Sequence, residues 1–233
     1  MDDYILNIET STGVCSVSIS SGREIIAGRE SSADRSHAAM LTVFIREAMQ
    51  EAGLEFSNLS AVAASRGPGS YTGLRIGISA AKGICYAADL PLIAVNTLEI
   101  MSLMVIGDPA IETGRHSLLC PMIDARRMEV YMALFDHNRN QKGDIVAEIV
   151  DKDTFMDIPQ ENEILFFGNG AGKCRDSIRH KNARFIPGIY PSAKLMAQPA
   201  AEALKEGRFE DTAYFTPFYL KDFLATTSKK KIY

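Results

Sequence analysis

Long apolar runs, clustered cysteines and an excess of basic charge are all missing from this 233-residue chain. The uncharged apolar stretches are short: Leu90 to Leu98, broken by Pro91 and Asn96, and Ile100 to Gly107. A membrane-spanning helix needs about 20 such residues, so none is expected. The four cysteines, Cys15, Cys85, Cys120 and Cys174, lie at least 35 residues apart, which excludes CxxC zinc and redox motifs. The start, Met1-Asp2-Asp3-Tyr4, is acidic and leads directly into a strand-like run, without the basic and apolar segments of a signal peptide. These features predict a cytosolic chain with all four thiols reduced and buried. Net charge is −4, so tight binding of nucleic acid by the chain alone is not expected.

Catalytic sets are scarce as well. His37, His116, His137 and His180 never fall three or four residues apart, so no helical metal pair exists. No GxSxG nucleophile elbow occurs, and no GK[ST] phosphate loop. What is present is an ordinary globular balance, 46% apolar and 23% charged residues, in a length suited to one or two domains.

The hydrophobic pattern reads as two similar series. Tyr4–Glu9 is a buried strand ending on an acid. Val14–Ser20 alternates like a half-buried strand, and Glu24–Arg29 is a third. A helix follows from Ser36, a plausible cap, with Met40, Leu41, Phe44, Ile45, Ala48 and Met49 at helical spacing. Then come a strand over Ala61–Ser65, a helix over Gly73–Ala88, a strand over Pro91–Val95 and a helix over Leu98–Ile106. Gly107 to Gly114 reads as a linker. The series restarts with a strand at Leu118–Asp124, again ending on an acid, and strands at Glu129–Phe135 and Asp144–Val150. A short helix near Thr154, a strand at Ile164–Phe167 and a helix from Lys173 follow. The last helix, from Ser192, contains Pro199, which is expected to end or kink it. Two units of strand, strand, strand, helix, strand, helix predict an actin-like (Hsp70, actin and sugar-kinase) α/β fold. Its lobes would be 1–108 and a reduced 109–233.

Two glycine-rich segments stand between a strand and a helix. Gly67-Pro68-Gly69-Ser70-Tyr71-Thr72-Gly73 could cradle an anion at a helix N-terminus, but its GxGxxxG spacing misses the dinucleotide fingerprint. It could equally be a tight turn with Gly69 at positive φ and Thr72 as cap. Gly168-Asn169-Gly170-Ala171-Gly172-Lys173 is off-template in the same way. Gly73, Gly77, Ala80, Ala81 and Gly83 make one helix rich in small residues. Such a helix admits close approach, either by its own sheet or by a second subunit.

Ser65 to Ala88, SRGPGSYTGLRIGISAAKGICYAA, resembles the TsaB (YeaZ) family, the non-catalytic paralogues of the transferase TsaD. ILNIETSTGVCSVS (5–18), PLIAVNTL (91–98), IDARRMEVY (123–131), PSAKLMA (191–197) and PFYLK (217–221) extend the likeness along nearly the whole chain. The resemblance implies a scaffold and activator of TsaD in forming N6-threonylcarbamoyladenosine beside the anticodon of tRNAs that read ANN codons. It implies TsaD and TsaE as partners, a homodimer when TsaD is absent, and tRNA reached only through the complex. ATP and a metal ion would reside on the partner subunits, with no cofactor on this chain. Thr97 and Met101 stand where TsaD-like proteins carry a metal-binding histidine pair. By the same analogy Met40, Leu41, Phe44, Ile45, Ala48, Gly73, Gly77, Ala80, Ala81 and Ile84 form the partner face. Glu9, Thr10, Gly67, Gly69, Ser70, Thr72 and Asp124 would be remnants of a nucleotide site. The competing readings are an autonomous kinase or ATPase using Glu9 and Asp124, and a peptidase.

Overall fold

A computed structural model describes residues 3–32, 37–114 and 116–221. Ser36, expected as a helix cap, and Lys229, Lys230 and Lys231 lie outside the described residues.

The first half forms β1 (Tyr4–Glu9), β2 (Cys15–Ser21), β3 (Glu24–Ser31), α1 (His37–Ala52), β4 (Leu59–Gly67), α2 (Tyr71–Ala88), β5 (Leu92–Asn96) and α3 (Thr97–Gly107). Its sheet has the order β3-β2-β1-β4-β5, with β1–β2 and β2–β3 antiparallel and β4 and β5 parallel to β1. Central β1 is buried on both faces, which is why Ile5, Leu6 and Ile8 do not alternate simply with polar residues.

The second half forms β6 (Ser117–Asp124), β7 (Glu129–Asp136), β8 (Gln141–Ile149), β9 (Glu163–Phe167), α4 (Ala171–Cys174) and β10 (Ala183–Ile186), then α5 (Ala197–Glu206). Its sheet order, β10-β9-β6-β7-β8, repeats the first in the same sense: an antiparallel meander, then two parallel strands beside its first strand. The fold is the expected actin-like α/β pair of lobes with the second reduced.

Five details differ from the sequence reading. The segment near Thr154 is a run of turns, and the helix placed at Lys173 is a single turn, Ala171–Cys174. Strand β10 was not anticipated; its four residues are all only partly buried, too weak a pattern to register. Pro199 neither ends nor kinks a helix. It is the third residue of α5, where the missing N–H is one that no helical carbonyl would accept. Finally, the 3-10 turn Ala193–Met196 and α5 bury their apolar side on the first lobe, touching the second through the Arg139–Glu202 ion pair. Ala193, Met196, Ala200 and Ala203 cover the face of the first sheet made by Ile5, Ala61, Ala63, Ile93 and Val95.

Helices α1 and α2 cover the opposite face of that sheet. Leu98, Met101 and Val105 of α3 reach across to Leu119, Ile123, Phe135 and Phe167, so the lobes share one apolar joint. No described helix is long and apolar enough to cross a membrane.

Candidate functional site

The two carboxylates that close β1 and β6 occupy equivalent places in the two sheets and have opposite environments. Glu9 is fully buried. One carboxylate oxygen accepts the Ser11 N–H at 2.5 Å, while the other, like the Ser11 hydroxyl, has no partner among the described residues. Burial pushes the Glu9 carboxyl up to about 7, outweighing the Ser11 N–H bond and the nearby Ser11 and Ser65 hydroxyls that favour its ionised form. Asp124 is exposed. Its Oδ1 accepts the Arg126 N–H at 2.9 Å and pairs with the Lys173 ammonium. Lys173 also donates to the carbonyls of Arg127, at 2.9 Å, and Glu129, at 2.7 Å.

The N-terminus of α2 faces the Glu9-Thr10-Ser11 turn at close range. The Ser70 N–H donates to the Ser11 carbonyl at 2.6 Å, and the Ser70 hydroxyl accepts the Gly73 N–H at 3.2 Å. The Thr10 hydroxyl donates to the Gly73 carbonyl at 2.8 Å. This fit requires glycine three times. A β-carbon would lie 2.3 Å from the Ser11 carbonyl oxygen at Gly69, 2.1 Å from the Thr10 carbonyl oxygen at Gly73, and 2.2 Å from the Thr10 hydroxyl at Gly77. The cap is therefore Ser70 rather than Thr72. Positive φ belongs to Gly67, at 108°, rather than Gly69. Two of the donors that would meet a phosphate, the Ser70 and Gly73 N–H groups, are turned to the chain's own Ser11 carbonyl and Ser70 hydroxyl.

The second glycine-rich segment does the same. Asn169 accepts the Asp124 N–H at 2.9 Å, and the Gly170 N–H donates to the Met122 carbonyl at 3.0 Å. The structure thus assembles Glu9, Thr10, Gly67, Gly69 and Ser70 around one turn, leaves Thr72 exposed beside it, and gives Asp124 to Lys173. Among the described residues no hydrogen bond or ion pair joins Glu9 to Asp124.

The expected partner face needs correction. Leu41, Phe44, Ile45, Ala48, Gly73, Gly77 and Ala81 are buried within the first lobe, because the apolar stripe of α1 and the glycine side of α2 both turn toward the sheet. Of the expected set, Met40, Ala80 and Ile84 remain partly exposed. Ile76, Ala80, Gly83, Ile84 and Ala87 fall on one side of α2 at helical spacing, and a β-carbon at Gly83 would meet nothing within 4 Å. This outer stripe is half-buried at Ile76, Ala80 and Ile84, which pack against the first lobe's core, and exposed at Gly83 and Ala87.

Thr97 is buried at the start of α3, and Met101 packs in the apolar joint, its methyl close against Gly168. No group of three or more His, Cys, Asp or Glu side chains among the described residues is placed to hold a metal ion. All four cysteines are free and buried. Burial holds the Cys15 and Cys85 thiols at about 11. Cavities of about 170 Å³ beside Phe155 and about 310 Å³ beside Arg184 both lie in the second lobe, apart from Glu9 and Asp124.

One feature escaped sequence reasoning. After α5 the chain runs back along α2. The Glu210 N–H donates to the Leu92 carbonyl, the Lys82 ammonium holds the carbonyls of Ala213 and Phe215, and the Phe218 N–H donates to the Arg66 carbonyl. Tyr219 meets Tyr71 with ring centroids 4.9 Å apart, and Lys221 pairs with Glu129 of the second lobe. The PFYLK segment was visible only as part of a resemblance, because an extended segment without periodicity carries no packing signal.

The fold and this turn define a two-lobed actin-like α/β chain in which the start of α2 packs closely against the turn after β1, and comparison with known proteins places it. The TsaD family, tRNA N6-adenosine threonylcarbamoyltransferase, matches residues 29–227, and the chain belongs to that family. It is 28% identical over 227 residues to the tRNA threonylcarbamoyladenosine biosynthesis protein TsaB of Escherichia coli, covering 95% of this chain and 96% of that protein. To the tRNA N6-adenosine threonylcarbamoyltransferase of Streptococcus mutans it is 34% identical over 203 residues, 78% of this chain but only 56% of the transferase. The solved structure of YeaZ from Pseudomonas aeruginosa shares the fold, with a TM-score of 0.80 at 24% identity over 94% of this chain and all of that one. The resemblance to TsaB read from the sequence is borne out.

Proposed function

We propose that this chain is the non-catalytic subunit that scaffolds and activates a TsaD-type transferase in making threonylcarbamoyladenosine in tRNA. The observation that carries the reading is the closure at Ser70. The Ser70 N–H is taken by the Ser11 carbonyl and the Gly73 N–H by the Ser70 hydroxyl, while Thr10 and Ser11 fill the space against Gly69, Gly73 and Gly77 that a phosphate would need. The apolar setting of Thr97 and Met101 supports it, since a buried thioether and hydroxyl in a dry joint do not supply first-choice metal ligands. ATP and metal chemistry is assigned to the partner subunits, TsaD and TsaE. The partner face is the outer stripe of α2 around Ala80, Gly83 and Ile84, with Met40 of α1 at its margin. It presents small and aliphatic side chains to which a second helix can come close. In the absence of TsaD the same stripe would close a homodimer.

The test is reconstitution. A TsaD-containing system lacking its TsaB is expected to modify tRNA when this chain is added and not otherwise. Modification independent of the added chain would sink the proposal. ATP turnover by the purified chain, abolished by Glu9→Ala, would instead favour the kinase reading.

A further inference from the structure

The returning C-terminal segment builds a surface that neither lobe has alone. Arg75 lies over the Tyr71 ring, 4.6 Å from its centroid, and Tyr71 packs on Tyr219. Two residues on, Lys221 pairs with Glu129, in the same turn as Arg126 and Arg127. On the inner side Arg66 sits over Phe218 at 5.8 Å. The Lys221–Glu129 pair thus joins the Arg75–Tyr71–Tyr219 stack on α2 to the β6–β7 turn that carries Arg126 and Arg127.

Charge along this ridge is of one sign. The acids beside it, Asp124 and Glu129, are taken by Lys173 and Lys221. Arg66, Arg75, Arg126 and Arg127 form no ion pair among the described residues, and Arg75, Arg126 and Arg127 are exposed. Arg126 and Arg127 both adopt positive φ, at 68° and 52°, a conformation that costs a non-glycine residue, in an exposed turn. A concentration of unpaired arginines is unexpected on a chain of net charge −4. Arginine with exposed tyrosine is the pairing that holds phosphate backbone while stacking bases.

We propose that the ridge of Arg75, Tyr71, Tyr219, Arg126 and Arg127 is an RNA-contact surface, through which the chain touches the tRNA backbone within the assembly. The proposal rests on the functional reading above and adds to it a site on this chain. A weak site is consistent with the negative net charge, because three or four phosphate contacts give affinity only at low salt.

The experiment uses the full chain and a fluorescent anticodon stem-loop RNA, with anisotropy read at about 20 mM monovalent salt, where phosphate contacts are strongest. The variant Arg75→Glu/Arg126→Glu/Arg127→Glu is compared with Arg179→Glu/Lys181→Glu/Lys205→Glu, which changes net charge equally at the opposite ends of the sheets. Ridge reversal is expected to weaken binding at least tenfold and to flatten the salt dependence by about two units of slope. The control reversal is expected to change affinity less than threefold. Equal loss in both variants, or no binding by the unaltered chain, overturns the proposal. ATP competing as well as an RNA of equal phosphate concentration overturns it in favour of a mononucleotide site. Reconstituted modification separates this from the functional reading. If the unaltered chain fails to support modification, that reading fails. If it succeeds and the ridge variant succeeds equally, only the RNA surface fails.

Discussion

Thr10 and Gly77 share one volume: a β-carbon at position 77 would sit 2.2 Å from the Thr10 hydroxyl oxygen, the group that donates to the Gly73 carbonyl. The turn after β1 and the first two turns of α2 are therefore mutually dependent. Glycine in a helix interior costs roughly 1 kcal/mol against alanine, and here the close approach offsets it.

Gly77→Ala is expected to destabilise the chain by about 1–3 kcal/mol through overpacking, a fall of about 2–4 °C in Tm for each kcal/mol in a protein of this size. Thr10→Ala removes the obstructing hydroxyl, so the double variant should recover part of the loss. Thermal melts of the four proteins form the cycle. Strict additivity would mean the two positions do not interact.

Adjacent alanines on α2 should behave oppositely. Ala81 is fully buried against the sheet, so Ala81→Glu places an unpaired charge in the core and should cost about 3 kcal/mol or more. Ala80 lies on the outer stripe, so Ala80→Glu should keep the fold and weaken assembly with TsaD at least tenfold, about 1.4 kcal/mol. Circular dichroism and co-purification read the two effects. An Ala80→Glu chain that still assembles with undiminished affinity moves the interface elsewhere.

Glu9 should make stability fall as pH rises. Its carboxyl binds a proton more tightly folded than unfolded, with a value of about 7 against 4.5. Below about 4.5 both states are protonated and nothing is lost. Between 4.5 and 7 the unfolded chain ionises first, and stability declines by about 3 kcal/mol in all. Glu9→Gln should remove this component. Urea midpoints from pH 4.5 to 8 would show the variant less pH-dependent than the parent, and parallel curves would refute the assignment.

Met101→His/Thr97→His restores a histidine pair at the start of α3 without restoring its surroundings. Two imidazoles in the apolar joint should lower stability by about 2 kcal/mol or more and take up no zinc. Melting curves and elemental analysis test both parts. Stoichiometric zinc with raised stability would show that the joint can still open into a metal site.

Strands and helices with strong periodicity were legible without a structure. β1, β6 and the stripes of α1 and α2 follow from apolar spacing, and the order of elements alone announced the repeated lobes. The likeness at GPGSYTGLRIG was legible because four glycines and a cap in fixed order record a local backbone geometry. Which side of a helix meets solvent was not legible in the same way. Periodicity identifies an apolar face but not what covers it, so Phe44 and Ala81 read as partner contacts until the sheet was seen beneath them. Pro199 depended on where α5 begins, which is set by the 3-10 turn packed on Ile5 and Val95. The raised carboxyl of Glu9, the pairing of Lys173 with Asp124 and the arginine–tyrosine ridge required segments 40 or more residues apart to meet. Local sequence determines backbone preference and apolar pattern. Burial, charge pairing and surface are properties of the space between distant segments, and only tertiary packing creates that space.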